Sequence, residues 1–156
     1  MKIQWLKLII SIIICQVPGI IGSQFTVKSI PTWYAALNKP AFNPPNWLFG
    51  PVWITLYILM GISLYLVWSK SNIADINNLL IIFFIQLFLN ALWSVIFFGF
   101  KSLGFAFVEI MILWLFILIT IILFYSVSKT ASVLLIPYLL WVLFASLLNY
   151  YIWKLN

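Results

Sequence analysis

Long apolar runs separated by short polar segments form the main pattern of this chain. Five of these runs come close to, or exceed, the ~20 apolar residues that cross a bilayer as a helix. They cover about residues 5–22, 47–68, 79–98, 103–125 and 132–151. Backbone amides within lipid find partners only inside their own segment, so each run is predicted to be a helix. The predicted fold is an all-α integral membrane protein, a single five-helix bundle with one domain over residues 1–156.

The connection between the first two runs is longer than the others. It extends from Ser23 to Asn46 and contains four prolines: Pro31, Pro40, Pro44 and Pro45. Residues 31–37 are predicted to form a short helix, because proline suits a first helical turn, and the Pro-Pro pair predicts an extended stretch. A long loop of this kind is typical of a lid over a binding site, and a plain connector is the alternative. Pro18 and Pro137 lie inside spans and are predicted to kink them.

Composition supports the membrane assignment and limits the partners. Hydrophobic residues make up 66% of the chain and charged residues 6%, whereas soluble domains are about 25% charged. The basic residues are single lysines with no arginine, so they are expected to anchor span ends in the headgroups. Because no basic cluster exists to bind a phosphate backbone, nucleic acid is not an expected partner.

The absence of histidine removes several kinds of chemistry. Histidine is the commonest metal ligand and the partner in Ser-His and Cys-His catalytic pairs. The chain has no histidine and a single cysteine, Cys15. We therefore expect no metal site, no bound cofactor and no conventional catalytic motif.

The chain contains nine tryptophans, which fall into two groups. Trp5, Trp47, Trp68, Trp114 and Trp153 lie near span ends or can face lipid, as in an aromatic belt. Trp53, Trp93 and Trp141 lie deeper within predicted spans. A buried indole offers a large flat surface and one N–H donor, which suits a stacked ligand; helix packing is the alternative.

Polar side chains inside spans form the second group of candidates. Gln86, Asn90 and Ser94 are spaced by four and are predicted to face the bundle core, either as interhelical contacts or as ligand contacts. Glu109 is the single carboxylate within a span, and it is either functional or a polar structural contact. Leu148, Tyr150 and Lys154 fit the loose pattern proposed for sterol contact, which interfacial anchoring explains equally well.

Three blocks of sequence resemble those of one known family. The first is Trp33-Tyr34-x-x-Leu37-x-Lys39-Pro40-x-x-x-Pro44-Pro45-x-x-x-Phe49-x-Pro51-Val52-Trp53. The second is Asn90-Ala91-Leu92-Trp93-Ser94 with Phe97-Phe98-Gly99, and the third is Pro137-Tyr138-Leu139-x-Trp141-Val142-x-Phe144-Ala145 with Leu148-Asn149 and Ile152-Trp153. In order and content these blocks resemble the TspO/MBR family, the tryptophan-rich sensory proteins.

The resemblance implies a five-helix bundle, usually a homodimer, in a bacterial cell membrane, with a pocket under the first loop. Its implied ligands are protoporphyrin-like porphyrins, and also sterols and benzodiazepine-type compounds. The implied pocket comprises Tyr34, Pro44, Phe49, Trp53, Tyr57, Asn90, Trp93, Trp141, Ala145 and Leu148. Trp53 and Asn90 are implied to donate polar contacts to the ligand. Trp53 and Trp141 are the implied reactive residues if a light-dependent breakdown of porphyrin takes place.

Three functions follow from these observations. The first is a membrane receptor or carrier for porphyrin-like and other flat hydrophobic ligands, acting in tetrapyrrole handling or stress signalling. The second is light-dependent oxidative degradation of protoporphyrin, in which the ligand supplies the reactive chemistry and the protein its orientation. The third is a structural or regulatory membrane protein that holds lipid incidentally. Whether the protein is an enzyme depends on the second.

Overall fold

The described part of the chain is helical throughout its spans and contains no strand. The computed structural model describes residues 3–70 and 73–156, and only the backbone of residues 73–75. Its helices are α1 (Trp5–Ser29), α2 (Asn46–Lys70), α3 (Ile73–Ser94), α4 (Leu103–Val127), α5 (Lys129–Leu134) and α6 (Ile136–Leu155). Two π-turns extend α1 and α3, at Ile30–Tyr34 and Val95–Gly99.

These helices form five segments that are long and apolar enough to cross a bilayer. They are Trp5–Tyr34, Asn46–Lys70, Ile76–Gly99, Leu103–Val127 and Lys129–Leu155. The predicted all-α bundle of five transmembrane helices is therefore confirmed. The fifth span consists of α5 and α6, and it is interrupted at Leu135. Pro137 stands in the first turn of α6, directly after this interruption, and Pro18 lies within the continuous helix α1. The kinks at both prolines stay predictions.

The first span extends well past its predicted end. The prediction that it stops near Gly22 is wrong, because the helix and its π-turn continue to Tyr34. Only residues 37–45 connect it to α2 without helix, and residues 31–37 are not a separate short helix. Polar residues after Gly22 resemble a loop in sequence, yet the hydroxyls of Thr26 and Thr32 donate to backbone carbonyls one turn earlier. Such bonds give the hydroxyls an acceptor within the helix, so these polar side chains are compatible with it.

The packing of α1 changes along its length. Near its start α1 packs tightly on α2, where a Cβ at Gly61 would lie 2.6 Å from the Cα of Ile12. Towards the loop, α1 instead packs on the third span and its π-turn. There the Ser29 hydroxyl donates to the carbonyl of Phe98 at 3.0 Å, and Phe25 lies against Gly99. This lean of α1 away from α2 leaves a space inside the bundle.

Replacing Gly61 with alanine should destabilise the protein. The new methyl group would meet the backbone of α1 rather than a flexible side chain, so helices must separate, and we expect the free energy of unfolding to fall by about 1–3 kcal/mol. Gly50→Ala is the matched control, because nothing lies within 4 Å of a Cβ at that position. Thermal unfolding in detergent would measure both variants. Equal melting temperatures for the two would contradict the proposed backbone contact.

Candidate ligand-binding cavity

A cavity of about 760 Å³ lies between α1, α2, the third span and α6. Ligand sites of small molecules occupy roughly 300–1,000 Å³, so the space is large enough for a sizeable ligand. Its walls come mainly from aromatic and aliphatic side chains, and its lining includes Tyr34 and Asn46 but none of residues 37–45 between them. The predicted pocket between the spans agrees with the cavity, and its position beneath the loop stays a prediction.

Most of the predicted pocket residues meet at this cavity. Its lining includes Tyr34, Phe49, Trp53, Tyr57, Asn90, Trp93, Trp141, Ala145 and Leu148. Pro44 is the exception: it does not belong to the lining, because it stands in the extended stretch before α2 rather than on a helix wall. Trp47, predicted as a belt residue, is exposed and also lines the cavity. Ligand contact by each of these residues stays a prediction.

Flat aromatic pairs form two walls of the cavity. On α2, Trp53 and Tyr57 stack with ring centroids 5.5 Å apart and planes inclined by 27°. On the third span, Trp93 and Phe97 stack at 5.0 Å and 29°. The first pair is separated by one helical turn, and that spacing places both rings on the same helix face. The cavity therefore offers broad apolar surfaces to a flat ligand.

A chain of hydrogen bonds joins three spans at the inner end of the cavity. The Tyr57 hydroxyl donates to Asn90 Oδ1 at 2.7 Å, and Asn90 Nδ2 donates to the Tyr138 hydroxyl at 2.9 Å. Tyr138 in turn donates to Gln86 Oε1 at 3.0 Å. Gln86 and Asn90 are buried, which confirms that their stripe faces the core. Asn90 makes interhelical contacts and also lines the cavity, so its position is compatible with both predicted roles, interhelical contact and ligand contact.

The indole N–H groups at the cavity differ in their partners. Trp93 Nε1 donates to Asn149 Oδ1 at 3.1 Å, and Asn149 Nδ2 donates to the carbonyl of Leu103 at 2.9 Å. This chain ties the third span, α6 and the start of α4 together. Trp141 Nε1 is buried and has no acceptor among the described residues. Trp141 is therefore a cavity tryptophan with an uncommitted donor.

Residues 37–45 are attached to the end of α6. The Asn38 N–H donates to Asn156 Oδ1 at 3.0 Å, and Asn156 Nδ2 donates to the Asn38 carbonyl at 3.0 Å. The Tyr34 hydroxyl donates to Asn43 Oδ1 at 2.8 Å. The Phe42 ring packs edge-on against Tyr151 with centroids 5.4 Å apart. We call residues 37–45 the roof, because they lie in the chain between Tyr34 and Asn46 of the cavity lining.

Other singled-out residues lie away from the cavity. Glu109 is buried, its carboxylate oxygens have no hydrogen-bond partner among the described residues, and it is not in the lining. Leu148 is buried and lines the cavity, whereas Tyr150 and Lys154 are exposed. The Lys154 ammonium lies 4.9 Å from the Trp153 ring centroid, which fits an interfacial anchor. The three residues of the sterol pattern therefore do not share one surface.

Helix α1 contributes a wall that sequence reasoning missed. Gly19 and Gly22 belong to the lining, together with Gln16, Ser23 and Thr26. A Cβ at Gly19 would lie 2.6 Å from the Tyr57 ring, and one at Gly22 would lie 2.8 Å from Ser94 Oγ. Two glycines three residues apart within an apolar helix indicate close packing of one face. That spacing was the available signal for this wall.

Five apolar spans, four of which surround an aromatic cavity, define a multi-pass integral membrane protein with an internal site of ligand size. The model of one family, TspO/MBR, matches residues 11–154, and the chain belongs to this family. It is 48% identical to the "Tryptophan-rich protein TspO" of Archaeoglobus fulgidus over 97% of both chains. It is 40% identical to the human "Translocator protein" over 87% of this chain and 82% of that protein. The "Tryptophan-rich sensory protein" of Cereibacter sphaeroides is 33% identical over 100% of this chain and 95% of its own.

The Asn90→Ala variant should lose stability. It leaves the buried Tyr57 hydroxyl without its acceptor and removes the donor to Tyr138, and each lost interhelical bond costs about 0.6–2 kcal/mol in membrane proteins. Ser94→Ala, one turn further on, is the control, because no hydrogen bond of its hydroxyl occurs within the described residues. Thermal unfolding in detergent compares the two. If Tyr57→Phe destabilises Asn90→Ala as strongly as it destabilises wild type, the two side chains are not coupled.

Proposed function

We propose that this protein is a membrane receptor or carrier that binds flat hydrophobic ligands of the porphyrin type in the cavity between its spans. The observation that carries the proposal is the pair of stacked aromatic walls, Trp53 with Tyr57 and Trp93 with Phe97. A porphyrin is flat and aromatic, and offset stacking on such rings is favourable. Its role would lie in tetrapyrrole handling or stress signalling.

Size and polarity of the cavity also support this proposal. A volume of about 760 Å³ lies in the upper part of the range for small-molecule sites. Few polar groups face it, as in sites where orientation depends on a small number of donors. Trp141 lines the cavity, and its Nε1 is a buried donor without an acceptor among the described residues. Because the sequence has no histidine, the common axial ligand of haem, a metal-free porphyrin is the appropriate probe.

Protoporphyrin should quench the tryptophan fluorescence of the purified protein saturably in the dark. Trp53→Phe and Trp141→Phe should each weaken binding by about two- to tenfold, since an aromatic pair is worth about 0.5–1.5 kcal/mol beyond area burial. Trp5→Phe is the matched control, because Trp5 is exposed and lies outside the cavity. The midpoint of the titration measures each affinity.

Two outcomes would contradict the proposal. Quenching no stronger than in empty detergent micelles would leave the structural or regulatory alternative, with incidental lipid in the cavity. Saturable quenching that Trp5→Phe weakens as much as Trp53→Phe would place the ligand on the lipid-facing surface. A third variant, Asn90→Ala, is interpreted only together with its unfolding temperature, since this residue also holds the spans together.

Degradation of porphyrin is a second candidate function, favoured by the presence of Trp53 and Trp141 in the lining of one cavity. Here the excited porphyrin would pass its energy or an electron to dioxygen, and a neighbouring indole would be oxidised together with the ring. The same samples are therefore illuminated in air and under argon. Loss of porphyrin absorbance that requires oxygen and disappears in Trp53→Phe or Trp141→Phe supports degradation. Unchanged ligand on recovery supports the receptor or carrier.

Sterol and benzodiazepine-type ligands and the homodimer stay predictions.

A further inference from the structure

We propose that ligands enter and leave the cavity sideways, from the bilayer, through the gap between α1 and α2. We call this gap the lateral opening; its rim consists of Ile20 and Val27 on α1 and of Trp47, Gly50 and Ile54 on α2. The inference rests on the proposed function and specifies its ligand class: flat amphiphiles that dissolve in lipid. The evidence comes from the exposure of the rim, the packing of α1 and the closure of the roof.

The rim residues belong to the cavity lining and are exposed at the same time. The exposed fraction of the side chain is 61% for Ile20, 69% for Val27 and 55% for Ile54. All of them line the cavity. A residue that borders an internal cavity and also faces the outside of the bundle marks a place where the two connect. The cavity is thus open between these helices.

The packing of α1 explains why the opening lies here. At the inner end the helices are in close contact, since a Cβ at Gly61 would meet the Ile12 backbone and one at Gly19 would meet the Tyr57 ring. Beyond Gly19, α1 leans on the third span through Ser29 and the carbonyl of Phe98. Side chains therefore do not fill the gap between α1 and α2 beyond Gly19. The lateral opening begins where the contact of α1 with Tyr57 ends.

The opening lies at the depth of the lipid chains. Ile54 follows Asn46, the first residue of α2, by about 12 Å at a rise of 1.5 Å per residue. This places it well inside a segment of the length that spans a hydrocarbon core of roughly 30 Å. The isoleucine and valine side chains of the rim are apolar, while Trp47 stands near the start of the span, where indoles favour the interface. The exposed lining residues of this gap also include Ser23, whose hydroxyl donates to the Ile20 carbonyl within α1, and Asn46 at the start of α2. A lipid-dissolved ring meets no charged residue in the cavity lining.

At the end of the bundle that carries the first loop, several contacts hold the roof to α6. The roof is attached to the end of α6 by the reciprocal bonds of Asn38 and Asn156. Tyr34 bonds to Asn43 beneath it, and Phe42 packs on Phe144 and Tyr151. Entry through this end would require several of these contacts to break together. Entry through the lateral opening requires only the movement of exposed aliphatic side chains.

The test follows the rates of porphyrin binding in proteoliposomes of phosphatidylcholine. Gly50→Phe places a ring at the rim, where nothing lies within 4 Å of a Cβ. It should lower the association and the dissociation rate constants together, by about tenfold, because an obstacle in the path hinders passage in both directions. Ile122→Phe is the matched control, an equally lipid-exposed position outside the cavity. The double variant Asn38→Ala, Asn156→Ala loosens the roof and should leave both rates near those of wild type.

Stopped-flow quenching by protoporphyrin measures association, and transfer to excess empty vesicles measures dissociation. If the roof variant accelerates both rates and Gly50→Phe slows neither, the ligand passes through the roof and the inference is wrong. If Gly50→Phe does not fold, Ile54→Ala takes its place: it widens the rim and should accelerate both rates, and unchanged rates would overturn the inference. A water-confined tetrasulfonated porphyrin should not load, and loading at the protoporphyrin rate would equally overturn it. Absence of saturable quenching in wild type removes the proposed function itself, whereas saturable quenching with unaffected rates removes only the lateral route.

Discussion

The hydrogen-bond chain from Tyr57 through Asn90 and Tyr138 to Gln86 stabilises the arrangement of helices on which the cavity depends. Lipid offers no competing partner to these groups, so they find one another across α2, α3 and α6. The chain fixes the relative rotation of these helices. That rotation in turn presents the stacked rings of α2 and the third span to the same space.

The cavity itself exists because α1 does not continue the contact with α2 along its whole length. Glycines at 19, 22 and 61 bring α1 close to its neighbours at three points. Ser29 then joins it to the third span. A helix that kept to α2 throughout would fill the space with its side chains. The same lean that creates the cavity also leaves the gap between α1 and α2, so the cavity and the proposed lateral opening have one structural origin.

The spans were predictable from sequence because their signal is the local apolar composition of each run. The end of α1 was not predictable, because Ser23, Thr26 and Lys28 are polar in sequence. In the structure the hydroxyls of Ser23 and Thr26 donate to carbonyls of the helix, and Lys28 stands in its exposed last turn. The aromatic walls followed from a resemblance in motif, which carries over positions on α2, α3 and α6. The wall formed by α1 carries no such motif. Its glycines contribute because they lack a side chain and so let α1 approach its neighbours. Pro44 lies outside the cavity lining, and one sequence does not distinguish a proline of an extended connection from a proline of a cavity wall.

The interruption of the fifth span at Leu135 gives its two parts different mechanical roles. Helix α5 is fixed, because the Ser63 hydroxyl donates to the Ala131 carbonyl at 2.8 Å and the Ser132 hydroxyl to the Ile121 carbonyl at 2.9 Å. Helix α6 carries the cavity residues Trp141, Ala145 and Leu148, and it joins α5 through a single non-helical residue. Leu135 thus lets α6 take a direction of its own after α5. Helix α6 is itself held by Tyr138 and Asn149, which bond to the third span, so these bonds, and not the anchored helix α5, set the position of this cavity wall.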